Sequence, residues 1–197
     1  MSQSSASPSA RQVELIEAAY RYVLTHGLAE LSLRPLAKEI GSSPRVLLYL
    51  FGTKEGLVRA LLARARASEL EFLAGLGSEA PVASEIGDDR LTHVAGRLWT
   101  WLSAPEHRPL LNLWLEGYAR SLVERDGPWR GFARATVEDW LQVLAAAQPE
   151  HVRHTEDGRA RRTQVLALLR GALIDLLATG DADRTSAAVR RQLGAPR

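Results

Sequence analysis

SLRPLAKEIGSSPRVLLYLFGTKEGL, running from Ser32 to Leu57, decides the fold. Two short helical patterns meet there at a tight turn, and a Phe-Gly-Thr-Lys-Glu step leads into a longer helix. Ser32 stands where it can cap the first of these helices, and Pro35 falls in the first turn, where a missing N–H is harmless. Gly41 ends that helix. Ser43 caps the next one, with Pro44 at the favoured first position. Gly52-Thr53 breaks the pattern again, and Lys54 opens a helix expected to reach about Leu73. This is the spacing of a helix-turn-helix, whose second helix is sized for the DNA major groove.

The second helix is amphipathic. At roughly 100° per residue, Leu47, Leu50 and Phe51 fall within about 100° of arc and face the core. Arg45 and Tyr49 fall almost opposite, with Pro44 and Leu48 at the flank. Arginine can bind guanine O6/N7 or a phosphate, and tyrosine offers its hydroxyl to a phosphate oxygen. A solvated polar face would read the same way, so the flanks carry the distinction. Lys54 is locally misplaced, because a cation at a helix N-terminus opposes the macrodipole. A phosphate at that end would satisfy both lysine and helix. Arg34 is a similar phosphate contact unless it pairs with Glu30 or Glu39, and Arg11 follows a Ser-rich arm expected to be disordered over residues 1–10.

Charge supports a polyanion at one end. Residues 1–66 hold nine Arg/Lys against five Glu, a local +4, whereas the remainder holds sixteen basic and eighteen acidic residues, a local −2. The rest of the chain is helical in pattern. An N-terminal helix is expected over about Ala10–Thr25, with Val13, Ile16, Ala19, Tyr20 and Val23 at helical spacing and Gly27 as its stop. Later helices are expected at about Glu85–Ser103, Pro109–Arg125, Pro128–Ala147, Gly158–Ala178 and Thr185–Leu193. Small residues over Ala74–Ser84 mark a boundary. The expectation is an all-α protein: a three-helix DNA-binding domain with its linking helix over 11–73, and a helical ligand-binding and dimerisation domain over 84–194.

Residues 11–73 resemble the DNA-binding domain of the TetR family of bacterial transcriptional regulators. The resemblance rests on Ser32-Leu-Arg-Pro-Leu-Ala-Lys-Glu-Ile-Gly41, Ser43-Pro-Arg-Val-Leu47 and Phe51-Gly-Thr-Lys-Glu-Gly-Leu57. It implies a homodimer that binds a palindromic double-stranded operator, with half-sites roughly 34–36 Å apart or a multiple of that. The expected DNA-contacting set is Arg34, Ser43, Pro44, Arg45, Leu48, Tyr49, Thr53 and Lys54. By resemblance, Ser43, Arg45, Tyr49 and Lys54 take the family's contact positions, with Tyr49 and Lys54 as phosphate clamps. The chain departs from the family pattern at three places. Leu48 replaces a usual tyrosine, losing a hydroxyl and offering hydrocarbon to a thymine methyl; Leu50 replaces a frequent histidine; Ser42 stands where valine is common.

The five tryptophans all lie between residues 99 and 140. The resemblance implies a variable pocket there for a small, often lipophilic effector, and the candidate lining is Trp99, Asn112, Trp114, Glu116, Tyr118 and Trp140. The competing reading is that the rings simply fill the core. VLALLRGALIDLLA, residues 165–178, carries only Arg170 and Asp175 as charges. Val165, Leu168, Leu169, Ala172 and Leu176 make one stripe, and Leu166, Leu173, Ile174 and Leu177 cover another side. One side should pack within the subunit and the other against a partner. The expected dimer contacts are Leu166, Leu169, Leu173, Ile174 and Leu177.

Other chemistry finds little support. The run Glu150–His154 with Glu156 and Asp157 is not HExxH and reads as a polar loop, and His93 and His107 have no adjacent nucleophile. No GxSxG, phosphate loop or dinucleotide fingerprint occurs, so no enzyme, cofactor or metal is expected. The chain has no cysteine, no apolar run long enough to span a bilayer and no signal-peptide core near Met1, which fits the cytoplasm. The alternative function is a small-molecule binding protein whose N-terminal helices serve as a protein-interaction surface.

Overall fold

The computed structural model describes residues 9–29, 31–78, 88–124 and 126–194. Among them every regular element is helical: α1 (Ala10–His26), α2 (Leu33–Glu39), α3 (Pro44–Phe51), α4 (Lys54–Ser78), α5 (Asp88–Ser103), α6 (Arg108–Val123), α7 (Phe132–Ala146), α8 (Glu150–Arg153), α9 (Glu156–Thr179) and α10 (Ala182–Leu193), with a 3-10 turn at Pro105–His107. The expected arm lies largely outside the described residues, but Ser9 already caps α1 by accepting from Gln12 N–H. α4 runs past the expected end at Leu73 to Ser78, so part of the small-residue boundary is helical; residues 79–84 lie outside the described residues. The expected first turn of α7 at Pro128 does not form, since Gly127 and Gly131 hold φ of +102° and +79° and bend the chain there. The polar run at 150–157 is not a plain loop. Glu150–Arg153 form α8, and the Thr155 hydroxyl caps α9 by accepting from Gly158 N–H at 3.0 Å.

The chain divides into two compact units. The first takes residues 9–67 together with 113–133, and the second takes 68–112 and 134–194. The partition is therefore not the linear one expected at 73 and 84, because the C-terminal part of α6 and the turn after it group with the helix-turn-helix.

In the first unit, α1 buries Leu15, Ala19, Tyr20 and Val23, while Val13 from the expected stripe is 45% exposed. Leu36, Leu47, Leu57, Leu61 and Leu62 complete this core, joined by Leu113, Trp114, Trp129 and Phe132. Gly117 on α6 permits close approach: a Cβ there would lie 2.8 Å from Leu62 Cδ2 and 3.2 Å from Phe132 Cε1. Arg64 of α4 pairs with Glu17 and lies over the Tyr20 ring.

In the second unit, α5, α9 and α10 pack mutually. The stripe that α9 turns inward is Leu166, Leu169, Leu173 and Leu176, each 5% exposed or less. Leu166, Leu169 and Leu173 are thus core residues of their own subunit and not the partner contacts expected of them. Of that set, only Ile174 (49% exposed) and the half-buried Leu177 keep surface. Arg184 donates two parallel bonds to Asp175 at 2.7 and 2.9 Å, clamping α10 on α9 and holding the Asp175 carboxyl below the usual carboxylate range.

The tight turn of the helix-turn-helix contains one local defect. The Ser42 hydroxyl oxygen is buried and finds no hydrogen-bond partner among the described residues. Such an orphan costs about 1 kcal/mol or more. Ser42→Ala should therefore raise the melting temperature by about 2–4 °C in circular dichroism, and a lowered midpoint would refute the assignment.

Candidate nucleic-acid interface

The recognition helix is held at both ends by residues the sequence singles out. Ser43 takes an extended conformation, and its Oγ accepts from Val46 N–H at 3.3 Å, so α3 starts at Pro44. Ser32 occupies the matching place before α2, but its side chain makes no cap bond. Between the helices, Gly41 (φ +63°) makes the turn that a Cβ would strain, and Ser42 N–H donates to Ala37 O at 2.8 Å. At its other end, α3 stops at Gly52, φ +77°, whose N–H donates to Leu48 O. Gln12 of α1 donates to Leu50 O at 3.2 Å, tying α1 to the end of the recognition helix.

Only Leu47 of α3 is fully buried; Leu50 and Phe51, expected in the core, are half-buried. Arg45 is exposed, Tyr49 is 86% exposed and Leu48 40%. Ser43 and Pro44 are half-buried, as suits a cap and a first-turn proline. Arg34 is exposed in the first turn of α2; Glu30, one of its possible partners, lies outside the described residues. One exposed residue has no place in the expected set. Val46 shows 38% of its surface, on the side of Arg45 and Tyr49 away from Leu48. Its wheel position carried the signal, but a valine reads as core by default.

The start of α4 is built from Thr53, Lys54, Glu55 and Gly56. Thr53 Oγ1 accepts from Gly56 N–H at 3.0 Å, making Thr53 a cap as well as an exposed side chain. The Glu55 carboxyl is held below its usual range, first by its own backbone N–H and then by the Thr53 side chain, with Lys54 and Arg59 adding attraction. A negative charge already offsets the dipole at this end. Lys54 is an exposed cation beside this cap. Arg34, Ser43, Pro44, Arg45, Leu48, Tyr49, Thr53 and Lys54 all belong to the first unit.

The six residues expected to line an effector pocket divide between the units: Trp114, Glu116 and Tyr118 fall in the first, Trp99, Asn112 and Trp140 in the second. Trp99 is buried, and its Nε1–H donates to Ser186 Oγ at 3.0 Å. Trp140 is buried and donates to the carboxylate of Glu69, itself only 5% exposed. Glu69 was not singled out in the sequence, where nothing separates it from the other acids of a charged helix. Trp114 packs on Tyr118 with ring centroids 5.0 Å apart, and Asn112 is exposed. Glu116 has a structural partner: its Oε2 accepts from Leu28 N–H at 2.9 Å, in the loop after α1, while Arg120 lies 3.6 Å from its other oxygen. A hollow of about 550 Å³ in the first unit is lined by Arg21, Tyr22, His26 and Glu39, and one of about 150 Å³ in the second by Arg161, Gln164, Leu168 and Leu193. None of the six residues lines either.

Residues 15–61 match the family model described as bacterial regulatory proteins, tetR family. No relative is detected among curated proteins. The fold is shared with solved structures along nearly the whole chain. A TetR transcription regulator from Haloarcula marismortui superposes with a TM-score of 0.71 at 20% identity, covering 91% of this chain and 92% of its own. A protein from Saccharomonospora viridis, solved in complex with choline, gives 0.71 at 19% identity, with 92% and 94% covered. The multidrug binding protein EbrR complexed with ethidium gives 0.65 at 26% identity, with 95% and 99% covered.

Proposed function

We propose that this chain, a TetR-family regulator by its matched head and its fold, works as a homodimeric repressor released from a palindromic operator by a small effector. It is a DNA-binding regulator, not an enzyme. The observation that carries the reading is the capped α3 with Arg45 and Tyr49 turned to solvent, flanked by the exposed cations Arg34 and Lys54. DNA as partner places the protein in the cytoplasm, and no described helix is long and apolar enough to cross a membrane.

Dimerisation is assigned to the outer side of α9, where Ala167, Gly171, Ile174 and Ala178 are exposed and Leu177 is half-buried. Small residues there let a second copy approach closely, and two-fold symmetry then sets two α3 helices against two half-sites. EbrR was solved with ethidium, proflavin and imidazole, and the Saccharomonospora protein with choline. An effector of similar class, small and lipophilic with a positive charge, suits a chain whose five tryptophans cluster between residues 99 and 140. Occupancy shifts the dimer toward a form whose heads are mis-spaced for the operator.

The test is operator affinity, with duplexes recovered by genomic pull-down, measured across salt with and without ethidium, proflavin or choline. Effector should weaken binding, and operator should weaken effector binding by the same factor. Lys54→Ala should flatten the log–log salt slope by about two units, one per subunit. Equal affinity with every effector would defeat the switch, and an unchanged slope would remove Lys54 from the contact set. A protein that binds effector but shows no salt-dependent DNA affinity is instead a small-molecule binder with an interaction head.

A further inference from the structure

The outward side of α3 carries more hydrocarbon than phosphate binding uses. Val46 and Leu48 leave 38% and 40% of their surfaces open, one on each side of the Arg45 and Tyr49 line. The inner side of the helix is filled by Leu47, 1% exposed. Solvent alone favours polar side chains at such positions, and alanine makes the better helix. Two open aliphatic groups on an eight-residue helix offer hydrocarbon to an apolar partner.

The surroundings say what that partner is. Residues 44–51 contain no carboxylate. Arg34, Lys38, Arg45, Lys54 and Arg59 are all exposed on the same unit, which favours a polyanion over a protein surface. In the major groove of DNA the apolar feature is the C5-methyl group of thymine, and aliphatic side chains recognise it by contact. Val46 and Leu48 stand third and fifth in the helix, within the N-terminal turns that reach base edges, and the Ser43 cap pins the Val46 backbone.

We propose that Val46 and Leu48 are specificity-determining residues that pack on thymine methyl groups on either side of the base pair met by Arg45. Each half-site then carries thymine at both flanks of a central guanine contact. This rests on the DNA-binding reading above, and the experiment separates the two.

Full-length protein is used to select duplexes from a randomised pool. The selected duplexes are then resynthesised with single thymines replaced by deoxyuridine, which keeps every hydrogen-bonding group and removes only the methyl. Affinity should fall about fourfold for each contacted methyl. Leu48→Ala should abolish the thymine-over-uracil preference at one position per half-site, and Val46→Ala at a different one. Both side chains are partly exposed, so a melting curve confirms that each variant stays folded. Equal affinity for thymine and uracil duplexes overturns the methyl assignment and leaves DNA binding standing. No salt-dependent affinity for any duplex in the pool overturns both.

Discussion

Gly56→Ala should destabilise the protein by about 3 kcal/mol or more, lowering the melting midpoint by roughly 6–12 °C. A Cβ at this position would sit 2.0 Å from the carbonyl oxygen of Phe51 and 3.2 Å from its carbon. That neighbour is backbone, so no side-chain rotation relieves the overlap. The last turn of α3 must move away from the first turn of α4, and Phe51 O then loses its bond from Thr53 N–H, 2.9 Å long. Because α3 carries Arg45 and Tyr49, DNA affinity should fall even at temperatures where the variant is folded. Gly158 occupies the same kind of turn: the Thr155 hydroxyl accepts its N–H, and a Cβ would meet Val152 O at 2.1 Å. Gly96 in α5 is the control, with nothing within 4 Å of its Cβ position. Gly96→Ala should stabilise by about 0.5–1 kcal/mol through helix propensity. Calorimetry or circular dichroism on both variants decides the matter, and a Gly56→Ala protein that melts like the parent rules out the close approach.

Arg45→Ala should cost at least about thirtyfold in operator affinity. A bidentate arginine–guanine contact discriminates by about 1–3 kcal/mol, and a two-fold dimer makes it twice, for about 2–6 kcal/mol in total. Arg45 is exposed on a helix whose core side is separate from it, so truncation leaves the fold intact and the loss reads out binding alone. Arg45→Lys sharpens the test. A lysine retains the charge but not the fork, so a base contact leaves the lysine variant weak and less selective, whereas a phosphate contact largely restores it. Fluorescence anisotropy against the selected duplex and a random one distinguishes the two. A loss below threefold for the alanine variant would remove Arg45 from the interface.

The recognition element was legible because its signals are local. Ser43, Pro44, Gly41 and Gly52 act through hydrogen bonds and φ angles within a few residues of themselves, and the structure shows the bonds they make. A local signal that failed, Ser32, shows the limit: the residue type is right, but its hydroxyl makes no cap bond to α2. The residues expected to line an effector pocket were less legible. Glu116 looks like any half-polar helix residue, yet its role is set by Leu28, 88 positions away in sequence. Glu69 and Trp140, 71 positions apart, define each other in the same way.

Helical content, the stops and starts of the first three helices, and the exposed Arg45–Tyr49 line follow from the order of residues, since backbone geometry and 3.6-residue periodicity are nearest-neighbour properties. Which leucines of α9 face inward did not follow. A helix apolar around most of its girth has no inner side until α5 and α10 dock on it, and they chose Leu166, Leu169, Leu173 and Leu176. The grouping of residues 113–133 with the helix-turn-helix was likewise a tertiary outcome, decided by Gly117 under Leu62 and Phe132 and by the Glu116 carboxylate on the loop after α1. Contacts between distant segments depend on complementary shape and on every buried polar group finding a partner, and neither is written in any single stretch of chain.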